Sequence, residues 1–148
     1  MKNILVGLDL KETDRLLLRH AILFATRFES RVWLVHVAAP DPDFVGYEPG
    51  PKYIRDTRAE ELRVEHRLLQ EYTADLRSKS IGAEGLLIQG STIDLLKEEV
   101  AKLKIDLLIL GNHKHGLLYE AFIGHTAEKI LKEIDIPILI VPLKEKPA

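Results

Sequence analysis

The sequence predicts an α/β fold, in which a single domain spanning residues 1–148 has a five-stranded parallel sheet with helices on both faces. Five short apolar segments rich in Val, Ile and Leu have the composition of strands that are buried on both sides. The four intervals between them carry apolar residues at helical spacing. A length of 148 residues without a repeat or an interdomain linker fits one domain.

The composition excludes several classes of protein. The 21 basic and 23 acidic side chains nearly balance, so the net charge of -2 does not favour a nucleic-acid partner. The absence of cysteine excludes disulfides, thiolate metal sites and a cysteine nucleophile. No apolar run is as long as a membrane span, and the first residues lack the pattern of a secretion signal. We therefore expect an unprocessed, cytoplasmic protein with no membrane or nucleic-acid partner.

The first βαβ unit occupies residues 4–37. Residues 4–8 form an apolar strand that Asp9 follows, and residues 32–37 form a second buried strand. Thr13 is predicted to cap the intervening helix, with Asp14 among the residues away from its apolar stripe. The residues predicted to form that stripe are Leu17, Ala21, Phe24 and Phe28.

Residues 38–53 contain four prolines and two glycines, which predict a long loop. Its role is open between a plain surface connection and a lid over a ligand. The next segment, 54–79, is predicted to be a long helix with a charged outer face. Its apolar side is expected to comprise Leu62, Leu68, Leu69, Tyr72 and Leu76.

The second half of the chain continues the alternation of strands and helices. Predicted strands at 86–88, 106–110 and 137–141 enclose two helices, the first of them capped by Ser91 together with Asp94. The apolar stripes of these helices are Ile93, Leu96, Val100 and Leu103 in the first, and Ala127, Ile130, Leu131 and Ile134 in the second.

Ligands of parallel α/β sheets bind beyond the carboxyl ends of the strands, which here are Asp9, Val37, Gly90 and Gly111. The turn after Asp9 has no glycine cluster, so it contains neither a P-loop nor a dinucleotide fingerprint. Asp9 is suited to accept hydrogen bonds from a ribose or an exocyclic amine, or to cap its own turn.

Phosphate is expected on the other side of the site, in the loop after Gly111 and at the helix start near Gly124. Backbone N–H groups are free of intrahelical partners at such a helix start, and glycine leaves them accessible. Lys114 adds a positive charge to this loop. The alternative is an ordinary strand, loop and helix with solvent-facing histidines.

His113, His115 and His125 raise the alternative of a metal site, because neutral imidazole is a frequent metal ligand. Against it, no carboxylate lies among them to orient a ring. The other three histidines fall within predicted helices and a strand, where structural roles are expected. No nucleophile elbow or close carboxylate pair is present either, so we predict no metal and no catalytic residue.

The chain resembles the universal stress protein family from Lys2 to about Leu143. The segments that carry the resemblance are residues 4–9, His36-Val37, Gly90, residues 106–113 and residues 137–143. The resemblance implies a Rossmann-like fold of the adenine nucleotide alpha hydrolase type, with sheet order 3-2-1-4-5. It also implies a homodimer that pairs fifth strands, which here contain Ile138, Leu139, Ile140 and Val141.

Nucleotide-binding members of that family have a glycine, two residues, a second glycine, nine residues, and a third glycine followed by Ser or Thr. The same spacing here reads Gly111, Lys114, Gly124 and His125, so two of these four positions depart from the pattern, although Thr126 follows directly. The resemblance also places Asp9 at the ribose and Val37 at the adenine. It therefore implies that the half of the site that binds the nucleoside is intact. The half that binds phosphate, the phosphate half, is altered.

These observations predict a stress-response protein that binds ATP, ADP or AMP, with Mg²⁺ where the phosphates require it. The residues predicted to bind the nucleotide are Asp9, Val37, Gly111, His113, Lys114, Gly124, His125 and Thr126. One alternative is a stress protein that binds no nucleotide and acts through dimerisation and protein contacts. Another is a weak nucleotide hydrolase that uses His113, Lys114 or His125.

Overall fold

The structure, a computed structural model, describes residues 1–38, 52–90, 92–112 and 126–143. Within these ranges five parallel strands form one sheet in the order β3-β2-β1-β4-β5. The strands are β1 (Asn3–Gly7), β2 (Arg31–Ala38), β3 (Ala83–Gln89), β4 (Leu107–Asn112) and β5 (Ile138–Pro142). The helices are α1 (Asp14–Phe28), α2 (Lys52–Ser78), α3 (Thr92–Lys102) and α4 (Thr126–Glu133). The predicted fold class and strand order are confirmed.

The sheet separates two apolar cores, as expected for a parallel sheet that is covered on both faces. Helices α1 and α2 pack on one face, where their leucines meet Ile4, Val6 and Ile109. Helices α3 and α4 pack on the other face, against Leu5 and Leu108. Alternate residues of each strand therefore serve opposite cores, which explains the nearly continuous apolar runs in the sequence.

The apolar stripe of α1 differs from the predicted one. Its buried residues are Asp14, Leu17, Leu18, Ala21 and Ala25. Phe24 is only half-buried and Phe28 is exposed, and the two rings stack on each other near the helix end. The prediction was right for Leu17 and Ala21 and wrong for Phe28 and for Asp14.

The start of α1 also departs from the prediction. Thr13 occupies the N-cap position, but its side chain makes no capping hydrogen bond. The Asp14 carboxylate instead accepts hydrogen bonds from the N–H groups of Asp9 and Leu10, in the turn that precedes the helix. An ionised acceptor next to a helix N-terminus also interacts favourably with the helix dipole.

Other boundaries agree to within a few residues. Helix α2 begins at Lys52, two residues before the predicted start, and the loop before it from residue 39 to 51 lies outside the described residues. The predicted cap at Ser91 also lies outside them. On α4, Leu131 is exposed rather than buried, while Ile130 and Ile134 are buried as predicted. In the part of the chain that is described, no helix is long and apolar enough to cross a membrane.

Candidate functional site

The strand order reverses between β1 and β4, and this switch point defines the candidate site. From β1 the chain moves outward to β2 and β3, and then crosses back to place β4 on the other side of β1. The connections that leave two such neighbouring strands diverge to opposite faces, which opens a crevice at their carboxyl ends. Asp9 lies two residues after the end of β1, and Gly111 is the second-last residue of β4.

Asp9 lines an open groove of about 740 Å³ between the β1–α1 turn and the first half of α2. The described walls include the side chains of Asp9, Lys11 and His36, with Glu61 and Glu65 contributed by α2. Carboxylates outnumber cations among the described lining residues, although Arg58 and Arg63 pair with Glu61 and Glu60. The described walls therefore favour the uncharged, hydrogen-bonding part of a ligand over a phosphate. Asp9 thus occupies a place that fits the predicted contact with a ribose.

The turn that carries Asp9 is fixed from inside the protein. Asp14 is fully buried, and its carboxylate oxygens lie 3.2 Å from the Asp9 nitrogen and 2.7 Å from the Leu10 nitrogen. Leu10 has a φ of 60°, a left-handed conformation that a branched side chain adopts only at a cost. The two hydrogen bonds to Asp14 offset that cost and set the path of the backbone at Asp9.

Sequence reasoning did not identify Asp14 as a residue of the site. A signal for it was present, because Asp14 precedes Leu18, Ala21 and Ala25 by four, seven and eleven residues and so belongs to the buried stripe. Burial raises the pKa of the Asp14 carboxyl to about 6, although the backbone N–H of Asp9 lowers it in part. A carboxyl that changes charge near neutral pH therefore lies directly beneath Asp9.

His36 joins the same turn to α2, in agreement with the structural role expected for it. Its Nδ1 lies 2.8 Å from the carbonyl oxygen of Leu8, which accepts hydrogen bonds only, so Nδ1 carries the proton. Its Nε2 lies 3.6 Å from Oε2 of Glu65. The ring thus braces the end of β1 against α2.

Val37 lies near the end of β2, paired with Ile88 of β3. It is half-buried against the core that α3 and α4 cover. Gly7, the last residue of β1, pairs with Val35, and β2 continues for three more residues to Ala38. Asp9 and Val37 therefore each lie two residues beyond the Gly7–Val35 pair. Both residues therefore belong to the carboxyl edge of the sheet.

Gly111 has a packing reason for its lack of a side chain. A Cβ on Gly111 would collide with Leu143 Cδ1 and lie 3.1 Å from Leu143 Cγ. It would also lie 3.4 Å from Leu17 of α1. The space beside Gly111 on this face is thus filled by protein.

The predicted phosphate half falls mainly outside the described residues, namely at His113, Lys114, Gly124 and His125. Thr126 is described only as the first residue of α4. The histidines of the metal alternative, which include His115, are outside as well. Among the residues that are described, no group of three His, Cys, Asp or Glu side chains is placed to hold a metal ion.

The sequence model of the universal stress protein family matches residues 1–142. The chain belongs to the universal stress protein family. A universal stress protein A homolog from Haemophilus ducreyi is 28% identical over 142 residues, which cover 96% of this chain and 96% of that protein. The family assignment made from the sequence is confirmed.

Solved structures of similar proteins share the fold. A universal stress protein in complex with cAMP is 16% identical, with a TM-score of 0.67 over 97% of this chain and 98% of that one. A universal stress protein from Archaeoglobus fulgidus in complex with dAMP is 14% identical, with a TM-score of 0.60 over 95% of this chain and 98% of that one. At these identities the comparison concerns the architecture of the chain.

Proposed function

We propose that this universal stress protein is a regulatory module that binds an adenine nucleotide at the carboxyl edge of β1, β2 and β4. The observation that carries the proposal is the convergence of Asp9 and Val37 at the edge beside the switch point. Asp9 accepts hydrogen bonds from the ribose, and Val37 contacts the adenine. The complexes of two relatives with cAMP and dAMP support the choice of adenine.

The charge of the described walls favours a nucleotide with few phosphates. Carboxylates from α2 stand beside Asp9, so each additional phosphate adds repulsion unless a cation compensates for it. Lys114 is proposed to supply one positive charge, and Mg²⁺ to supply more for ADP and ATP. We therefore expect AMP or ADP to bind more readily than ATP.

Calorimetric titration of the purified protein with AMP, ADP and ATP, with and without Mg²⁺, tests this function. Binding of AMP without Mg²⁺ is the expected result, and guanosine monophosphate is the control for the base. Absence of heat with all three adenine nucleotides, together with no nucleotide in a mass spectrum of the purified protein, would overturn the proposal. A cytoplasmic location stays a prediction from composition.

The second candidate function is action through protein contacts as a dimer without a nucleotide. It rests on β5, which is an outer strand of the sheet and has no neighbour on one side among the described residues. Ile140 on this strand is 39% exposed. An apolar outer strand of this kind pairs readily with a second copy. Dimerisation through β5 by itself is compatible with nucleotide binding, because β5 and the proposed nucleotide contacts of Asp9 and Val37 lie at different places.

A further inference from the structure

Asp14 connects the interior of the protein to the candidate nucleotide site. It is the first residue of α1, it is fully buried, and both of its carboxylate oxygens accept backbone hydrogen bonds. The donors are the N–H groups of Asp9 and Leu10, which lie five and four residues earlier in the chain. One buried side chain thus determines how the chain leaves β1 and where it presents Asp9.

Only the ionised carboxylate can accept both hydrogen bonds in full. A protonated carboxyl replaces one acceptor with an O–H donor, which opposes an N–H donor of the turn. The hydrogen bonds from the turn then offset less of the conformational cost of the left-handed φ at Leu10. If the backbone of Leu10 relaxes, the neighbouring Asp9 moves with it. The position of Asp9 therefore depends on the charge of a fully buried carboxyl.

We propose that Asp14 is a positioning residue for the nucleotide site: its ionised carboxylate holds Asp9 in the binding position, and its protonation weakens nucleotide binding. This inference rests on the proposed function and extends it to regulation by pH. Binding becomes sensitive to mild acidification through a carboxyl beneath the site.

The charged and titratable groups around Asp14 favour this response. Burial raises the pKa of Asp14 to about 6, and the charge of the nearby Asp9 carboxylate contributes to that rise. Tyr72 of α2 faces the same region, and burial, followed by the charge of Asp14, raises the pKa of its phenol. Lys11 contributes a backbone N–H that lowers the Asp14 pKa. His36 lies nearby, at the carbonyl of Leu8, and is the second group to control for.

Calorimetry with cAMP between about pH 5 and pH 7.5 tests the proposal, because the charge of its phosphodiester does not change in this range. Near pH 5 roughly a tenth of Asp14 is ionised, so Kd is expected to rise from its value at pH 7.5 by up to about tenfold, the limit reached if the protonated form does not bind. In Asp14→Asn this pH dependence disappears, whereas Asp75→Asn, an exposed carboxylate paired with Lys79, retains it. His36→Gln shows how much of the profile belongs to the histidine.

Amide NMR of the wild-type protein supplies a readout that needs neither ligand nor variant. The Asp9 and Leu10 amide signals should titrate together with a midpoint near pH 6. Signals that stay constant there, or a Kd profile of Asp14→Asn equal to that of the wild type, overturn the inference. If no nucleotide binds at any pH while the amides titrate, the proposed function fails and the control of the turn by Asp14 stands.

Discussion

Leu143 occupies the space into which a side chain on Gly111 would project. Gly111 lies in β4, and Leu143 directly follows β5, so the contact joins neighbouring strands at the carboxyl edge of the sheet. Leu17 of α1 closes the same space from the helix side. A position that the family pattern associates with nucleotide binding thus also serves the packing of the core.

Gly111→Ala is expected to destabilise the protein, because its methyl group has no room beside Leu143. Overpacking of a filled core costs about 1–3 kcal/mol of the free energy of unfolding. Urea denaturation measures it, and Gly82→Ala is the matched control, since the nearest side-chain atom there is 3.8 Å from the added carbon. Equal stability of the two variants would show that the residues around Gly111 accommodate a methyl group. Packing would then not explain why residue 111 is a glycine.

The sheet was predictable because its strands are buried on both faces. A strand such as β1, with Ile4, Leu5 and Val6 all fully buried, leaves a continuous apolar run that no other element of this length explains well. The order of the strands is a different matter, since spacing in the sequence does not determine which strands become neighbours. That order came from the resemblance to a family, and the structure confirms it.

The errors arose at the end of a helix and at the side of an apolar stripe, because Phe28 is the last residue of α1 and Leu131 lies beside the buried Ile130 and Ile134. Phe28 and Leu131 have the spacing of core residues, yet one is 52% and the other 62% exposed. Periodicity defines a direction around the helix axis and does not tell where the covering sheet ends. Asp14 was missed for the opposite reason: a carboxylate is ordinarily assigned to solvent, and only the hydrogen bonds from the turn make its burial tolerable.

Stability is expected to fall as pH rises from about 4 to 7 on account of Asp14. Its pKa is about 6 in the folded protein and 3.8 for the unfolded model group, so the folded state holds the proton more tightly. The contribution is therefore fully present below about pH 4 and is lost as pH passes through 6, with an upper bound of about 3 kcal/mol.

Urea denaturation of the wild type and Asp14→Asn at several pH values isolates this contribution. The difference between their free energies of unfolding should change between about pH 4 and pH 7. Asp106 does not interfere there, because N–H groups of Asn3 and Lys2 lower its pKa and confine its titration to more acidic solution. A constant difference across the whole range would contradict a raised pKa of Asp14.

Asp9→Ala is expected to weaken adenine nucleotide binding while the protein stays folded. A hydrogen bond to a charged group contributes about 1.5–3 kcal/mol, and the backbone N–H of residue 9 keeps its bond to Asp14 after truncation. Calorimetry with AMP measures the loss, and Asp75→Ala is the control at an exposed carboxylate of α2. Unchanged affinity in a folded Asp9→Ala protein would remove Asp9 from the site.

Ile140→Lys is expected to convert a dimer into a monomer. Ile140 lies on the outer strand β5, and a lysine ammonium there would be desolvated by a second copy of the strand. Light scattering after gel filtration at micromolar concentration measures the mass. Leu131→Lys is the matched control, because Leu131 is more exposed than Ile140 and lies on α4. A monomeric wild type would refute the dimer. Loss of the dimer in Leu131→Lys would indicate that the dimer interface lies on another surface than β5.

Lys114 lies where the family pattern has a glycine. If the lysine neutralises phosphate, Lys114→Gly loses a charge, and affinity should fall most for ATP and least for AMP. Salt should reduce the difference between wild type and variant, since it screens the lost attraction. We expect this outcome, because a lysine side chain is long enough to reach a phosphate and binds it well as a point charge.

The opposite role of Lys114, in which it blocks the phosphate position, predicts a different change in ATP affinity. If Lys114 fills the space of the phosphate, the double variant Lys114→Gly with His125→Ser restores the family pattern and should raise the affinity for ATP, because backbone N–H groups become accessible. Calorimetry with ATP on the wild type, the single and the double variant distinguishes the two. A rise in the double variant would show that the natural residues exclude ATP, and it would favour action of this protein through contacts with other proteins.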